Sequence, residues 1–136
     1  MKKLLYLLLL VPILVFGQSN NQNWVKSTTY KVETNAAIAD TTILQANVQV
    51  NYYDGLGRPI QQIAGKQSNT GKDIVTHIEY DVFGRQTKEF LPFANASASL
   101  NYMTSAATDL ATFYSSYNGG TTNPFSEKQL ESSPLN

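Results

Sequence analysis

The phrase Tyr-Asp-x-x-Gly-Arg is written twice in this chain, as Tyr53-Asp54-Gly55-Leu56-Gly57-Arg58 and as Tyr80-Asp81-Val82-Phe83-Gly84-Arg85. No other feature restricts the fold as tightly, because each residue type has a local use. Tyrosine favours strands and offers a large flat packing surface with a polar rim. Aspartate at the first turn position accepts hydrogen bonds from backbone N–H groups further along the turn. Glycine takes positive φ without a Cβ clash. Arginine opens the return strand, where its planar fork can bond a carboxylate or stack on a ring. The phrase therefore reads as a hairpin cassette. An isolated hairpin is marginal in water, and recurrence within 20–50 residues is the mark of units that bury their faces on one another.

The flanking residues support strands. From Leu44 to Tyr52 the even positions are Leu44, Ala46, Val48, Val50 and Tyr52, and the odd ones are Gln45, Asn47, Gln49 and Asn51. This period-two alternation predicts a strand with one buried face. Arg58–Ile63 is the return strand, with Pro59 at its start because proline has no N–H for a ladder. Asp73–Tyr80 is the next, with Ile74, Thr76, Ile78 and Tyr80 expected on the apolar face and Val75, His77 and Glu79 on the other. Arg85–Phe90 returns from the second turn, and Leu91-Pro92-Phe93 is expected to end the extended region. Trp24–Val32 is a candidate first strand. Tyr80 is in phase with Ile74 and Ile78, whereas Tyr53 is in phase with Asn51 and Gln49. A β-bulge near Tyr52–Tyr53 would restore the phase.

Beyond Ala94 the period changes. Leu100, Met103, Ala107, Leu110, Phe113, Tyr114 and Tyr117 recur at three- and four-residue steps, predicting a helix over about 104–117, stopped by Asn118-Gly119-Gly120. The remainder reads as mostly irregular. At the other end, Lys2 and Lys3 precede an apolar run from Leu4 to Phe16 that closes on Gly17. A membrane-crossing helix needs roughly 18 apolar residues, so 1–17 reads as a secretory signal peptide cut after Gly17. The expected organisation is 1–17 signal peptide, 18–43 polar segment with a first strand, 44–93 two hairpin units, and 94–136 a Ser/Thr/Asn-rich segment with the helix.

Ten basic and ten acidic residues in 136 give no nucleic-acid footprint and no polybasic membrane patch. The absence of cysteine excludes disulfides, thiolate metal sites and a cysteine nucleophile. Asp54 and Asp81 could pair as the carboxylates of a glycosidase do, but each has the chemistry of a turn former. His77 is the sole histidine, and no set of metal ligands is spaced around it. Arg58 and Arg85 could hold an anion; their fixed place after the glycine points to a structural role. No catalytic, metal or cofactor site is expected.

"YYDGLGRPIQQ" and "EYDVFGRQTKEF" resemble YD repeats of the RHS type, and the series signal peptide, "YYDGLGRP", "DIVTHIEYDVFGR", "LPFA", "PFSEKQLESSPLN" resembles the N-terminal region of secreted bacterial RHS-repeat proteins. The resemblance covers about Val48–Asn136. It implies a mainly β fold of antiparallel YD-type hairpins, a partial β-shell, with one short C-terminal helix. It also implies a scaffold segment, exported through the Sec pathway to the periplasm, cell surface or medium, that encloses or presents a cargo carried elsewhere in a longer protein. Tyr53, Asp54, Gly57, Arg58, Tyr80, Asp81, Gly84 and Arg85 would define the fold. Partners would be further YD units or other copies of the chain, with the membrane met only through the signal peptide. The competing expectation is a small secreted module that binds carbohydrate through Tyr52, Tyr53 or Tyr80, since eight tyrosines could line a sugar-binding face.

Overall fold

The computed structural model describes residues 21–37, 42–117 and 119–131; the segment 1–17 read as a signal peptide, the expected helix stop at Asn118 and the last five residues of "ESSPLN" lie outside them. Strands β1 (Asn23–Tyr30), β2 (Ala46–Tyr53), β3 (Pro59–Ala64), β4 (Ile74–His77) and β6 (Phe93–Ala94) form one antiparallel sheet in the order β1-β2-β3-β4-β6. Strands β5 (Lys88–Phe90) and β7 (Phe125–Glu127) form a second, two-stranded antiparallel sheet, and helix α1 spans Ala106–Ser116. Among the described residues the protein is thus mainly antiparallel β with one short helix. No helix among the described residues is long and apolar enough to cross a membrane.

One row of side chains organises the core. Val50 lies opposite Ile63, Ile63 opposite Val75, and Val75 opposite Phe93. All four are buried, with Tyr52 from the neighbouring row and Leu110 from α1 completing the cluster. Burying each aliphatic side chain contributes about 1.5–3 kcal/mol, so this row ties four strands and the helix into one unit. The helix lies on this face, with Phe113 against Phe93 at 6.2 Å between ring centroids. Asp109 in its first turn complements the N-terminal end of the helix dipole and accepts a hydrogen bond from Ser105 Oγ at 2.7 Å.

Several expectations need correction. Leu44 precedes β2 and is 79 % exposed, so the buried alternation begins at Ala46. The faces of β4 are reversed: Val75 is buried, while Ile74 and Thr76 are half-buried on the opposite side. The register with Ile63 forces this, since residues opposite one another share a face. The second cassette does not close a hairpin ladder; β4 pairs with β6, and only Lys88–Phe90 of the return segment is a strand, paired with β7. Leu91-Pro92-Phe93 does not end the extended region, because Phe93–Ala94 rejoins the main sheet. β7 lies in the tail read as irregular.

The expected bulge is present as a register shift between Tyr52 and Tyr53, but the extra residue is Ile60 on the return strand, between Pro59 and Gln61. Alternation along β2 therefore runs on unbroken: Tyr52 is buried and Tyr53 faces the other side. Both phrase tyrosines, Tyr53 and Tyr80, are half-buried, and neither belongs to the core cluster.

Candidate functional site

The two cassettes share one internal geometry. In the first, Asp54 Oδ1 accepts from the N–H groups of Leu56 and Arg58, both at 2.9 Å, and Oδ2 accepts from Arg58 Nε at 2.7 Å. In the second, Asp81 Oδ1 accepts from Phe83 and Arg85 N–H, both at 2.9 Å, and Oδ2 from Arg85 Nε at 2.9 Å. The backbone repeats as well. Asp54 N–H donates to Arg58 O and Gly57 N–H to Asp54 O, as Asp81 N–H does to Arg85 O and Gly84 N–H to Asp81 O. Gly57 and Gly84 have φ of +79° and +77°, the left-handed region that glycine enters without strain. Each fixed residue of the phrase after the tyrosine thus answers to the aspartate.

The Arg58 backbone N–H, more than any other group, holds the Asp54 carboxyl below the usual carboxylate range; burial opposes it, and the Arg58 guanidinium adds to it. Asp81 is lowered in the same way, by the backbone N–H of Arg85 first. Carboxyls lowered on folding stabilise the fold above their unfolded pKa near 3.8, and that contribution is lost as pH falls through the lower folded value. Both carboxylates are spent on their own turns, which suits anchoring and not proton transfer.

The cassettes are also locked together. The Arg58 guanidinium carbon lies 4.5 Å from the Tyr80 ring centroid, and the Tyr80 hydroxyl donates to Pro59 O at 2.9 Å. A Cβ on Gly84 would fall 2.7 Å from Arg58 Nη1. So the arginine of the first unit rests on the tyrosine and glycine of the second. Gly57, with nearly the same φ, has open space around its missing Cβ. Gly57→Ala is therefore expected to cost about 1–2 kcal/mol from left-handed backbone alone. Gly84→Ala should cost about 0.5–1 kcal/mol more, the value of an exposed cation–π contact. In an Arg58→Ala background that excess should vanish, which thermal unfolding of the four combinations measures; an unchanged excess would break the link between the cassettes.

The next step along the chain repeats this relation. As β3 leaves the first cassette to pair with β4, the segment leaving the second pairs with β7. Lys128 N–H donates to Thr87 O at 2.9 Å, and Arg85 Nη1 donates to Glu131 O at 3.2 Å. Continuing each register sets Tyr80 opposite Arg58 and Leu130 opposite Arg85. The stretch Leu130-Glu131 thus occupies the place that Tyr80-Asp81 occupies one unit earlier.

A family model described as a domain of unknown function, DUF6443, matches residues 26–136. The chain belongs to the DUF6443 family. No functionally curated protein and no solved structure matches it. The DUF6443 match takes in both cassettes, the helix and β7.

Two groups that the sequence left inconspicuous hold this DUF6443 fold from inside. Asp73 is fully buried, and its carboxylate accepts from Lys66 N–H at 2.9 Å and Leu100 N–H at 2.8 Å. Lys66 and Leu100 are the non-glycine residues with positive φ among those described, at 57° and 58°. Buried Gln61 donates to Met103 O at 3.0 Å and accepts from Met103 N–H at 2.9 Å. Apart from its strand parity, no sequence signal marks either residue. Among the described residues no three His, Asp or Glu side chains gather as a metal ion would require.

His77 is half-buried against the Phe90 ring, 5.2 Å between centroids. Burial lowers its pKa from 6.5, outweighing the Glu79 carboxylate 3.8 Å away, which acts in the opposite direction. The unfolded chain then binds the proton more readily than the fold does, so stability is complete above pH 6.5 and falls as pH drops through the folded pKa below it. Urea midpoints should decline between about pH 7 and pH 5, and His77→Gln should flatten that slope; a slope unchanged by the substitution would assign it elsewhere.

Proposed function

We propose that this chain is a non-enzymatic scaffold segment of an exported β-shell of the RHS/YD-repeat type, with residues 1–17 as its signal peptide. The observation that carries this reading is the contact of one cassette with the next, Arg58 on Tyr80 and Gly84. Such a contact is what stacked repeats use to bury faces that a lone hairpin leaves wet. The β5–β7 register supports it by extending the same relation one step further. Tyr53, Asp54, Gly57, Arg58, Tyr80, Asp81, Gly84 and Arg85 act as fold-defining residues, and further YD units of one longer polypeptide are the partners. The test is to identify the exported polypeptide that carries residues 44–93 by immunoprecipitation and peptide mass spectrometry. Further Tyr-Asp-x-x-Gly-Arg phrases in that polypeptide are expected. A secreted product lacking them overturns the scaffold reading.

A second reading, a carbohydrate-binding module, has one observation in its favour. On the sheet face away from α1, a shallow depression of about 260 Å³ is lined by Tyr53, Asn51, Gln62, Pro59 and Ile78. An aromatic ring beside two amides suits a neutral sugar. Tyr52 is removed from that reading by its burial. Glycan titration heats lost on Tyr53→Ala, with unfolding unchanged, would favour it.

A further inference from the structure

Strand β1 is exposed along its whole length and contributes no residue to the core, although it carries Trp24, Val25 and Tyr30. It ends the main sheet, with β2 on one side and no strand among the described residues on the other. An eight-residue edge with no proline or bulge is a template for another strand. We infer that β1 pairs antiparallel with β1 of a second copy about a two-fold axis at Ser27, joining two five-stranded sheets into one. This goes beyond the scaffold reading and does not depend on it.

The ladder itself restricts the register. Lys31 N–H donates to Gln45 O at 2.8 Å, and these residues lie opposite one another when the β1–β2 register is continued. Opposite residues in an antiparallel pair alternately exchange hydrogen bonds and do not. Asn23, Val25, Ser27 and Thr29 therefore aim their N–H and C=O groups at β2. Trp24, Lys26, Thr28 and Tyr30 aim theirs out of the sheet. A partner copy must set one of these four opposite another of the four.

Three symmetric registers meet that condition over the body of β1. A centre at Lys26 puts two ammonium groups directly opposite, which is unfavourable. A centre at Thr28 overlaps only residues 26–30. A centre at Ser27 overlaps residues 24–30 and places Trp24 opposite Tyr30 of the second copy at both ends, with Lys26 opposite Thr28. Cross-strand aromatic pairs are the stabilising kind, and Trp24 and Tyr30, 40 % and 38 % exposed in one copy, would cover each other. Opposite residues share a face, and Trp24 and Lys26 lie opposite Tyr52 and Val50 of the core face. Both helices would then stand on the same side of the joined sheet.

The chain has no cysteine, so single cysteines report the register. At the axis, Ser27 meets its own copy in a non-hydrogen-bonded pair, with Cα atoms about 4.5 Å apart, inside disulfide range. In the full chain under mild oxidation, Ser27→Cys should form a covalent dimer, while Val25→Cys, which faces Thr29, should remain uncross-linked. By sedimentation equilibrium the unmodified chain should be a dimer. Thr28→Lys, which sets like charges opposite twice, should make it monomeric with an unchanged circular dichroism spectrum. Thr28→Glu, which faces Lys26, should leave it dimeric; this also excludes a mere folding defect at position 28. A monomeric unmodified chain, a Thr28→Lys dimer, or cross-linking of Val25→Cys equal to that of Ser27→Cys overturns the inference. So would a covalent dimer obtained through Lys26→Cys or Thr28→Cys in preference to Ser27→Cys.

Discussion

Replacing Asp73 by alanine is expected to destabilise the protein by about 3–6 kcal/mol, since two partly buried N–H groups each lose a hydrogen bond to a charged group, worth about 1.5–3 kcal/mol. Those groups belong to Lys66 and Leu100, the two non-glycine residues described with left-handed backbone. Left-handed backbone costs a side chain-bearing residue about 1–2 kcal/mol, so one carboxylate holds two unfavourable bends in place. One bend ends β3; the other starts the approach to α1. Asp73→Asn keeps one good acceptor oxygen and should lose roughly half as much. Urea unfolding followed by far-ultraviolet circular dichroism ranks the three proteins. A cost below about 1 kcal/mol for alanine, or asparagine as damaging as alanine, would remove Asp73 from this role.

The second large effect separates two adjacent tyrosines. Tyr52 is fully buried, contacts Tyr102 at 5.3 Å between ring centroids, and donates its hydroxyl to Leu100 O at 2.7 Å. Tyr52→Ala should cost about 3–5 kcal/mol, the range for deleting a buried aromatic ring. Tyr52→Phe should cost about 0.5–1.5 kcal/mol, the net value of one hydrogen bond. Tyr53 is half-buried on the uncovered face, and Tyr53→Ala should stay under about 1 kcal/mol. Thermal unfolding of the three variants checks the order. Equal losses at 52 and 53 would mean that β2 does not alternate through its end.

These contrasts show where the sequence was readable. The cassettes were legible because every bond in them closes within five residues, so the residue types of the phrase state their own partners. The alternation of β2 was legible because one of its faces is apolar and the other carries amides. β4 offers apolar residues on both parities, Ile74 and Val75 among them, and local pattern gave no way to choose. Its face was settled by Ile63 across the sheet. The pairing of β5 with β7 joins Phe90 to Phe125, a contact too distant in sequence for any local period to announce. Asp73 and Gln61 act on backbone groups of Lys66, Leu100 and Met103, and backbone groups are the same at every position of a sequence. The rest of Arg58 on Tyr80 was within reach of the residue types, but its crossing from one unit to the next was not.

The cassette leaves two positions out of its hydrogen-bonded ring of roles. The backbone N–H groups of Leu56 and Phe83 donate to the aspartates, the Phe83 ring lies 5.0 Å from the Arg85 guanidinium carbon, and Leu56 and Val82 are 80 % and 94 % exposed. Substitution at Leu56 or Val82 meets neither the aspartate, the glycine nor the arginine. A molecule built from such turns can therefore exchange what it shows to its surroundings, residue by residue at each tip, while the geometry underneath stays the same. Recognition and architecture would then be inherited separately, the first written in the variable letters of the phrase and the second in the fixed ones.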